Sequence, residues 1–304
     1  MTASVISIDR PADTAPAPSP APRHRSRRRQ SMASSASLVW RYGVLLLSLA
    51  IAIVPMYVLL VTSLKPPGEV GVDTMWSLPK AWDTSAWGRA WAALSPSFGR
   101  TIVLAVASAL ISSVLGALNG YVLARVRFRG VDVLFGLVLF GMFIPYQAVM
   151  MPLRDVVTAI GLPPGIATLI FVHTVYGIPI CTMIFRNYYI NTIPMSLIES
   201  ASMDGASVFV TFTRIVLPLS APIFVVAIIW QFTMVWNDFL FAIFMTNTSN
   251  GPIMLTLSAL AGAQSPDYAQ SMAGALIASM PPLLVYIVLG RYFVSGLMAG
   301  AVKG

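Results

Sequence analysis

The stretch from Tyr42 to Leu64 reads YGVLLLSLAIAIVPMYVLLVTSL and holds no charged side chain. At about 1.5 Å per residue, a helix of roughly 20 residues crosses about 30 Å of hydrocarbon. Inside lipid the backbone finds no water, so a lone segment satisfies its own N–H and C=O groups only by coiling. The run also exceeds the roughly 7–15 apolar residues of a signal-peptide core, and no small-residue cleavage site follows it. Five more runs of this kind occur at Thr101–Leu123, Val131–Met151, Ile166–Phe185, Pro222–Phe244 and Met272–Tyr292. The sequence therefore predicts an all-α, polytopic membrane protein with six transmembrane helices.

The composition agrees. Of the 304 residues 57% are apolar and only 10% charged, against about 25% charged in ordinary soluble domains. The net charge of +8 is uneven, because seven arginines and two aspartates precede the first run and give that segment +5. Residues 1–37 are Pro/Ala/Ser-rich and carry Arg23, Arg25, Arg27, Arg28 and Arg29. Such a segment buries too little apolar surface to offset its ordering entropy, so it is expected to be a disordered, basic cytoplasmic tail touching anionic lipid. A nucleic-acid protein spreads its cations over a folded face, so no nucleic-acid partner is expected. One cysteine, Cys181, and two histidines, His24 and His173, argue against a disulfide framework and a Cys- or His-based metal site.

Arginine and lysine placement sets the orientation. With a cytoplasmic N-terminus, 14 basic residues fall inside and 5 outside, so both termini are expected in the cytoplasm. The tight turn Arg125-Val126-Arg127-Phe128-Arg129-Gly130 is the clearest inside marker. In the second run, Ser108, Ser112, Gly116 and Gly120 repeat every fourth residue beside Ala105, Ala109, Ser113 and Ala117. Small residues at that spacing let two helix backbones approach closely. Pro145, Pro281 and Pro282 are expected to interrupt their spans. Trp82 and Trp87 suggest an interfacial aromatic belt.

Polar residues at membrane depth are the default translocation-path candidates: Gln147, Tyr176, Asn237 and Asp238, with His173 read more readily as helix packing. A charge such as Asp238 near mid-membrane costs about 2.5–3.5 kcal/mol on insertion scales, so it should face the bundle interior or the water interface.

The inside segment 186–221 is not an ordinary linker. Pro194 suits a first helical turn, and Ser196-Leu197-Ile198-Glu199 has the spacing of a capping box. A short helix from Ser196 to Met203 is predicted, then a corner at Asp204-Gly205, where Gly allows positive φ and Asp can cap the next helix. Val208, Phe209, Phe212, Ile215 and Val216 give that next helix one apolar face. The expected element is a rigid elbow on the inner membrane surface, suited to taking a push from a partner or simply to capping the bundle.

The elbow carries a resemblance. Glu199-Ser200-Ala201, then Gly205 after three residues, Ile215 after nine more, and Leu217-Pro218 resemble the "EAA" loop of ABC-importer permeases, with Ser200 replacing an alanine. Asp204-Gly205-Ala206 is similar to the carbohydrate-transporting members. So are Arg127-Phe128-Arg129-Gly130, Ile144-Pro145, Met151-Pro152-Leu153, Gly161-Leu162, Trp236-Asn237-Asp238-Phe239, and the ending Arg291-Tyr292-Phe293-Val294 through Gly300-Ala301-Val302-Lys303-Gly304. Residues 40–304 thus resemble the maltose-permease G-like family. Arg154-Asp155 departs from it, standing where many relatives have an aromatic residue.

The resemblance implies a type I importer bundle (MetI-like) in a bacterial plasma (inner) membrane. It implies a permease subunit that moves a sugar or sugar derivative by alternating access. The implied partners are an ABC ATPase dimer, a second permease subunit and an extracytoplasmic solute-binding protein. The implied contact residues are Glu199, Ser200, Ala201, Asp204, Gly205, Ala206, Ile215, Leu217 and Pro218. No G-x-x-x-x-G-K-[ST] loop occurs, so no cofactor is expected on this chain; ATP and Mg belong on the partner ATPase. An ABC permease for a non-sugar solute is the alternative. A secondary transporter would want more acidic residues inside its spans.

Overall fold

The computed structural model describes residues 26–126, 128–247 and 249–301. Residues 1–25, Arg127, Thr248 and the end 302–304 lie outside the described residues, and with them most of the expected tail. The chain divides into two units, Met1–Pro55 and Met56–Gly304.

The first helix, α1 (Ser26–Ser63), begins within the segment expected to be disordered. From Leu38 to Val54 its large apolar side chains are exposed. Then come α2 (Ser85–Arg125), α3 (Val131–Phe143), α4 (Tyr146–Ala159), α5 (Ile166–Thr192), α6 (Met195–Met203), α7 (Val208–Thr211), α8 (Leu217–Leu219), α9 (Ala221–Trp236), α10 (Leu240–Met245), α11 (Ile253–Ala261) and α12 (Tyr268–Ala301). No strand occurs among the described residues. By length and composition four of the described helices can cross a membrane unbroken, and up to six spans result if the bent pairs Val131–Phe143 with Tyr146–Ala159 and Val208–Leu219 with Ala221–Trp236 each count as one.

Two expected spans are not continuous. The third breaks at Ile144-Pro145, and α3 and α4 meet at a 100° bend. Pro145 has no N–H to give, and its ring pushes Ile144 out of the helical region to an extended φ of −74° and ψ of 117°. The fifth ends early, at Trp236. The Asp238 carboxylate accepts the backbone N–H groups of Phe241 (3.4 Å) and Ala242 (3.2 Å) and so starts α10 as a separate helix. Pro281 and Pro282, by contrast, do not interrupt α12. The carbonyl of Ala278, four residues before Pro282, accepts the indole N–H of Trp236 at 2.9 Å. That bond fills the acceptor that Pro282 cannot serve.

The α2, α5, α9 and α12 helices form the heart of the larger unit. The small-residue stripe of α2 lies along α5, as expected. A Cβ on Gly116 would stand 2.3 Å from Cys181 Cβ, and one on Gly120 would stand 2.8 Å from the Arg186 nitrogen. The apolar interior has two layers. One surrounds Leu94, Leu104, Leu169, Trp236 and Ile253. The other surrounds Tyr121, Phe185, Tyr189, Phe212 and Val216 beneath the elbow. Trp82 is exposed, but Trp87 packs against the first layer instead of pointing outward.

Candidate functional site

The elbow forms where the sequence puts it, with different caps. α6 begins at Met195 after Pro194, and no side chain caps it. Ser196 therefore sits inside the first turn, and its carbonyl accepts the Ser200 hydroxyl at 2.8 Å; the capping box with Glu199 does not form. Asp204 ends α6 rather than starting α7. Ser207 is the cap, its hydroxyl accepting the Val210 N–H at 3.3 Å. Gly205 turns the corner at φ +78° with nothing within 4 Å of a Cβ built on it, so the need here is backbone conformation and not space. The second arm runs from α7 through a π-type turn, Phe212–Val216, into α8.

Burial separates the arms' two faces. Ala201, Phe212 and Val216 are buried, while Ile215 and Ala206 are half-buried. Glu199, Ser200, Asp204, Leu217 and Pro218 are exposed. So are Leu197, Val208, Phe209 and Met203, the last with 88% of its surface open. Apolar side chains this exposed at the tip of a polar corner mark a contact surface.

The root of the elbow is cationic. Arg125, the last residue of α2, donates through Nη2 to the carbonyls of Tyr189 and Ile193, and its Nη1 lies 3.4 Å from Met195 Sδ. These carbonyls belong to the end of α5, where helical acceptors lack partners and positive charge is favoured. Arg186, on α5, donates from Nε to Leu123 O at 3.2 Å. It also pairs with Asp132 at 3.2 Å and covers the Phe135 ring at 4.1 Å.

A second region lies where the two broken spans face each other. A cavity of about 580 Å³ is lined by Tyr146, His173, Tyr176, Trp230, Asn237 and Asp238, among others. Irregular backbone at membrane depth is tolerated where it borders a cavity, and both breaks, Ile144 and Asn237-Asp238, border this one. Tyr176 and Tyr146 rings approach Phe241 at 5.0 and 5.1 Å. His173 Nε2 lies 3.4 Å from Asp238 Oδ2 without hydrogen-bond geometry. The structure thus gathers three candidates, Tyr176, Asn237 and Asp238. Gln147 is exposed and outside the lining.

Sequence reasoning missed Gln231. It lines the cavity, is 4% exposed, and donates to His173 O at 3.0 Å. Its amide inside the apolar run Ile228-Ile229-Trp230-Gln231-Phe232 was the available signal. Tyr146 was hidden behind the unforeseen size of the Pro145 bend.

Residues 113–298 match the family described as binding-protein-dependent transport system inner membrane component. The chain belongs to that family. It is a transporter subunit, a multi-pass inner-membrane component and not an enzyme. This membrane component is 43% identical over 187 residues to a probable ABC transporter permease protein of Pyrococcus horikoshii, covering 61% of this chain and 68% of the relative. It is 32% identical over 254 residues to the melibiose/raffinose/stachyose import permease protein of Bacillus subtilis, covering 83% and 91%. The fold is similar to that of a bacterial ABC transporter involved in import of the acidic polysaccharide alginate. The TM-score there is 0.67 at 21% identity, over 90% of this membrane component and 100% of that chain.

Proposed function

We propose that this chain is the permease subunit of an ATP-driven importer for a sugar or sugar derivative, with both termini in the cytoplasm. The observation that carries the coupling part is the Gly205 corner, which turns the chain between α6 and α7 and leaves Glu199, Met203 and Phe209 open to a partner. The occupant of that surface is an ABC ATPase dimer, which holds ATP and Mg; this chain has no phosphate-binding loop of its own. ATP-driven closure of the ATPase pair moves the elbow, and the bundle alternates between inward- and outward-facing states, a hinge-type two-state transition. A second permease subunit completes the path, and an extracytoplasmic solute-binding protein delivers substrate.

The sugar assignment rests on relatives named as importing xylose/arabinose in Haloferax volcanii and melibiose/raffinose/stachyose in Bacillus subtilis. Within the chain, the cavity between the two broken spans suits such cargo: tyrosine rings beside an amide and a carboxylate. The test is uptake of labelled oligosaccharide into proteoliposomes that hold the assembled transporter and its binding protein. Uptake should stop without ATP and persist with an uncoupler. Uptake that follows the proton gradient and ignores ATP overturns the proposal.

A further inference from the structure

The elbow is covalently joined to α5 and α9, and Tyr188 of α5 donates to Leu219 O at the end of its second arm, yet its root is also tied by side chains of α2, which is distant in sequence. We infer that Arg125, with Tyr121 one turn before it, bolts both arms of the elbow to α2, so that the elbow and the α2–α5 pair move as one body. The inference rests on the coupling role proposed above and adds the route by which motion leaves the elbow.

Three observations support it. First, the Arg125 guanidinium bridges the end of α5 to the start of α6 through Tyr189 O, Ile193 O and Met195 Sδ. A planar fork can hold several acceptors in one fixed geometry, which a lysine ammonium on a flexible stem does less well. Second, Tyr121 lies between the other parts. Its ring meets Phe212 of the second arm at 5.2 Å and Tyr189 of α5 at 6.2 Å, edge to face. Third, the tie is reciprocated: Arg186 of α5 donates to Leu123 O of α2 and pairs with Asp132 of α3. Below these ends, Gly116 and Gly120 leave no room for α2 to slide along α5. A push on α6 therefore reaches α2 directly and does not dissipate by bending the chain at Ile193-Pro194. Arg125 is a positioning residue, because it acts through the elbow and touches neither nucleotide nor cargo.

The test uses the assembled transporter in proteoliposomes, with uptake and ATP hydrolysis measured on the same preparation. Arg125→Met keeps an unbranched, apolar stem and removes the fork. It should lower uptake at least tenfold while hydrolysis continues, and Arg125→Lys should recover part of the loss. Cysteines introduced by Val126→Cys and Ser202→Cys border one cavity between α2 and α6, and a short bifunctional reagent can join them. In one rigid body that tether is harmless: it should leave uptake within twofold in the parent chain and restore it in Arg125→Met. A tether that blocks uptake while the untethered pair of cysteines transports normally overturns the inference, because α6 must then move against α2. Loss of assembly in Arg125→Met leaves the tether in the parent chain as the deciding measurement. A parent transporter with no ATP dependence refutes the functional proposal instead, and the two failures stay distinct.

Discussion

The α2–α5 seam and the elbow both depend on glycine, for opposite reasons. At Gly116 and Gly120 the backbone is ordinary helix and the space is gone: added Cβ atoms would lie 2.3–2.8 Å from α5. At Gly205 the space is empty and the backbone is unusual, at φ +78°. The seam thus uses glycine to exclude movement, and the elbow uses it to hold a shape that other residues resist. One region is a rigid beam and the other the handle attached to it.

Changes at the seam should cost most. Gly116→Val inserts a three-carbon isopropyl group against Cys181, and overpacking of this kind costs about 1–3 kcal/mol or more. The expected result is loss of folded protein in detergent, read by size-exclusion yield; normal yield would mean that α5 can shift and the beam is not rigid. At the corner, Gly205→Val faces a left-handed penalty of about 1–2 kcal/mol with no clash. Insertion should be normal and uptake lost, whereas Gly205→Asn should transport, because Asn visits that conformation readily. Equal behaviour of the two variants would show that φ at this position is unimportant.

Glu199→Lys alters an exposed charge on the handle. It should leave membrane insertion intact and remove uptake, measured beside ATP hydrolysis to show that coupling is what fails. The smallest effect lies at the far end of the beam, where Arg89 of α2 meets Asp267 at 2.8 Å. Burial raises the Asp267 pKa, but the Gln270 N–H and Arg89 outweigh it and hold the carboxyl below its usual 3.8. A depressed carboxylate pKa stabilises the fold above the ordinary value, and the contribution fades as pH falls below about 3.8. Partly exposed pairs are worth about 0.2–1 kcal/mol. Asp267→Asn should therefore lower the melting temperature slightly at pH 7, and the difference from the parent should shrink in acid.

Much of this division was legible in the residues. Every-fourth-residue spacing announced the seam, and Asp204-Gly205 announced the corner. The caps were misread because Ser, Asp and Glu in series offer several local hydrogen-bond schemes: α6 starts after Pro194 with no side-chain cap in place of Ser196, and Ser207 takes the place of Asp204 at α7. Prolines showed where a helix loses a donor but not how the chain responds. Pro145 produced a 100° bend, while Pro282 left α12 whole because a tryptophan from another helix met its orphaned carbonyl. Arg125 looked like a topology marker alone, since its partners lie more than sixty positions away. Tertiary pairings of that kind leave no trace in periodicity or local spacing.

The Trp236 indole has a consequence for watching the molecule at work. It is wholly shielded from solvent and anchored to α12 by a single N–H bond. Any parting of α9 from α12 hydrates the ring and reddens its emission. With the other tryptophans replaced by phenylalanine, the transporter would contain its own optical gauge, readable in real time without an attached dye.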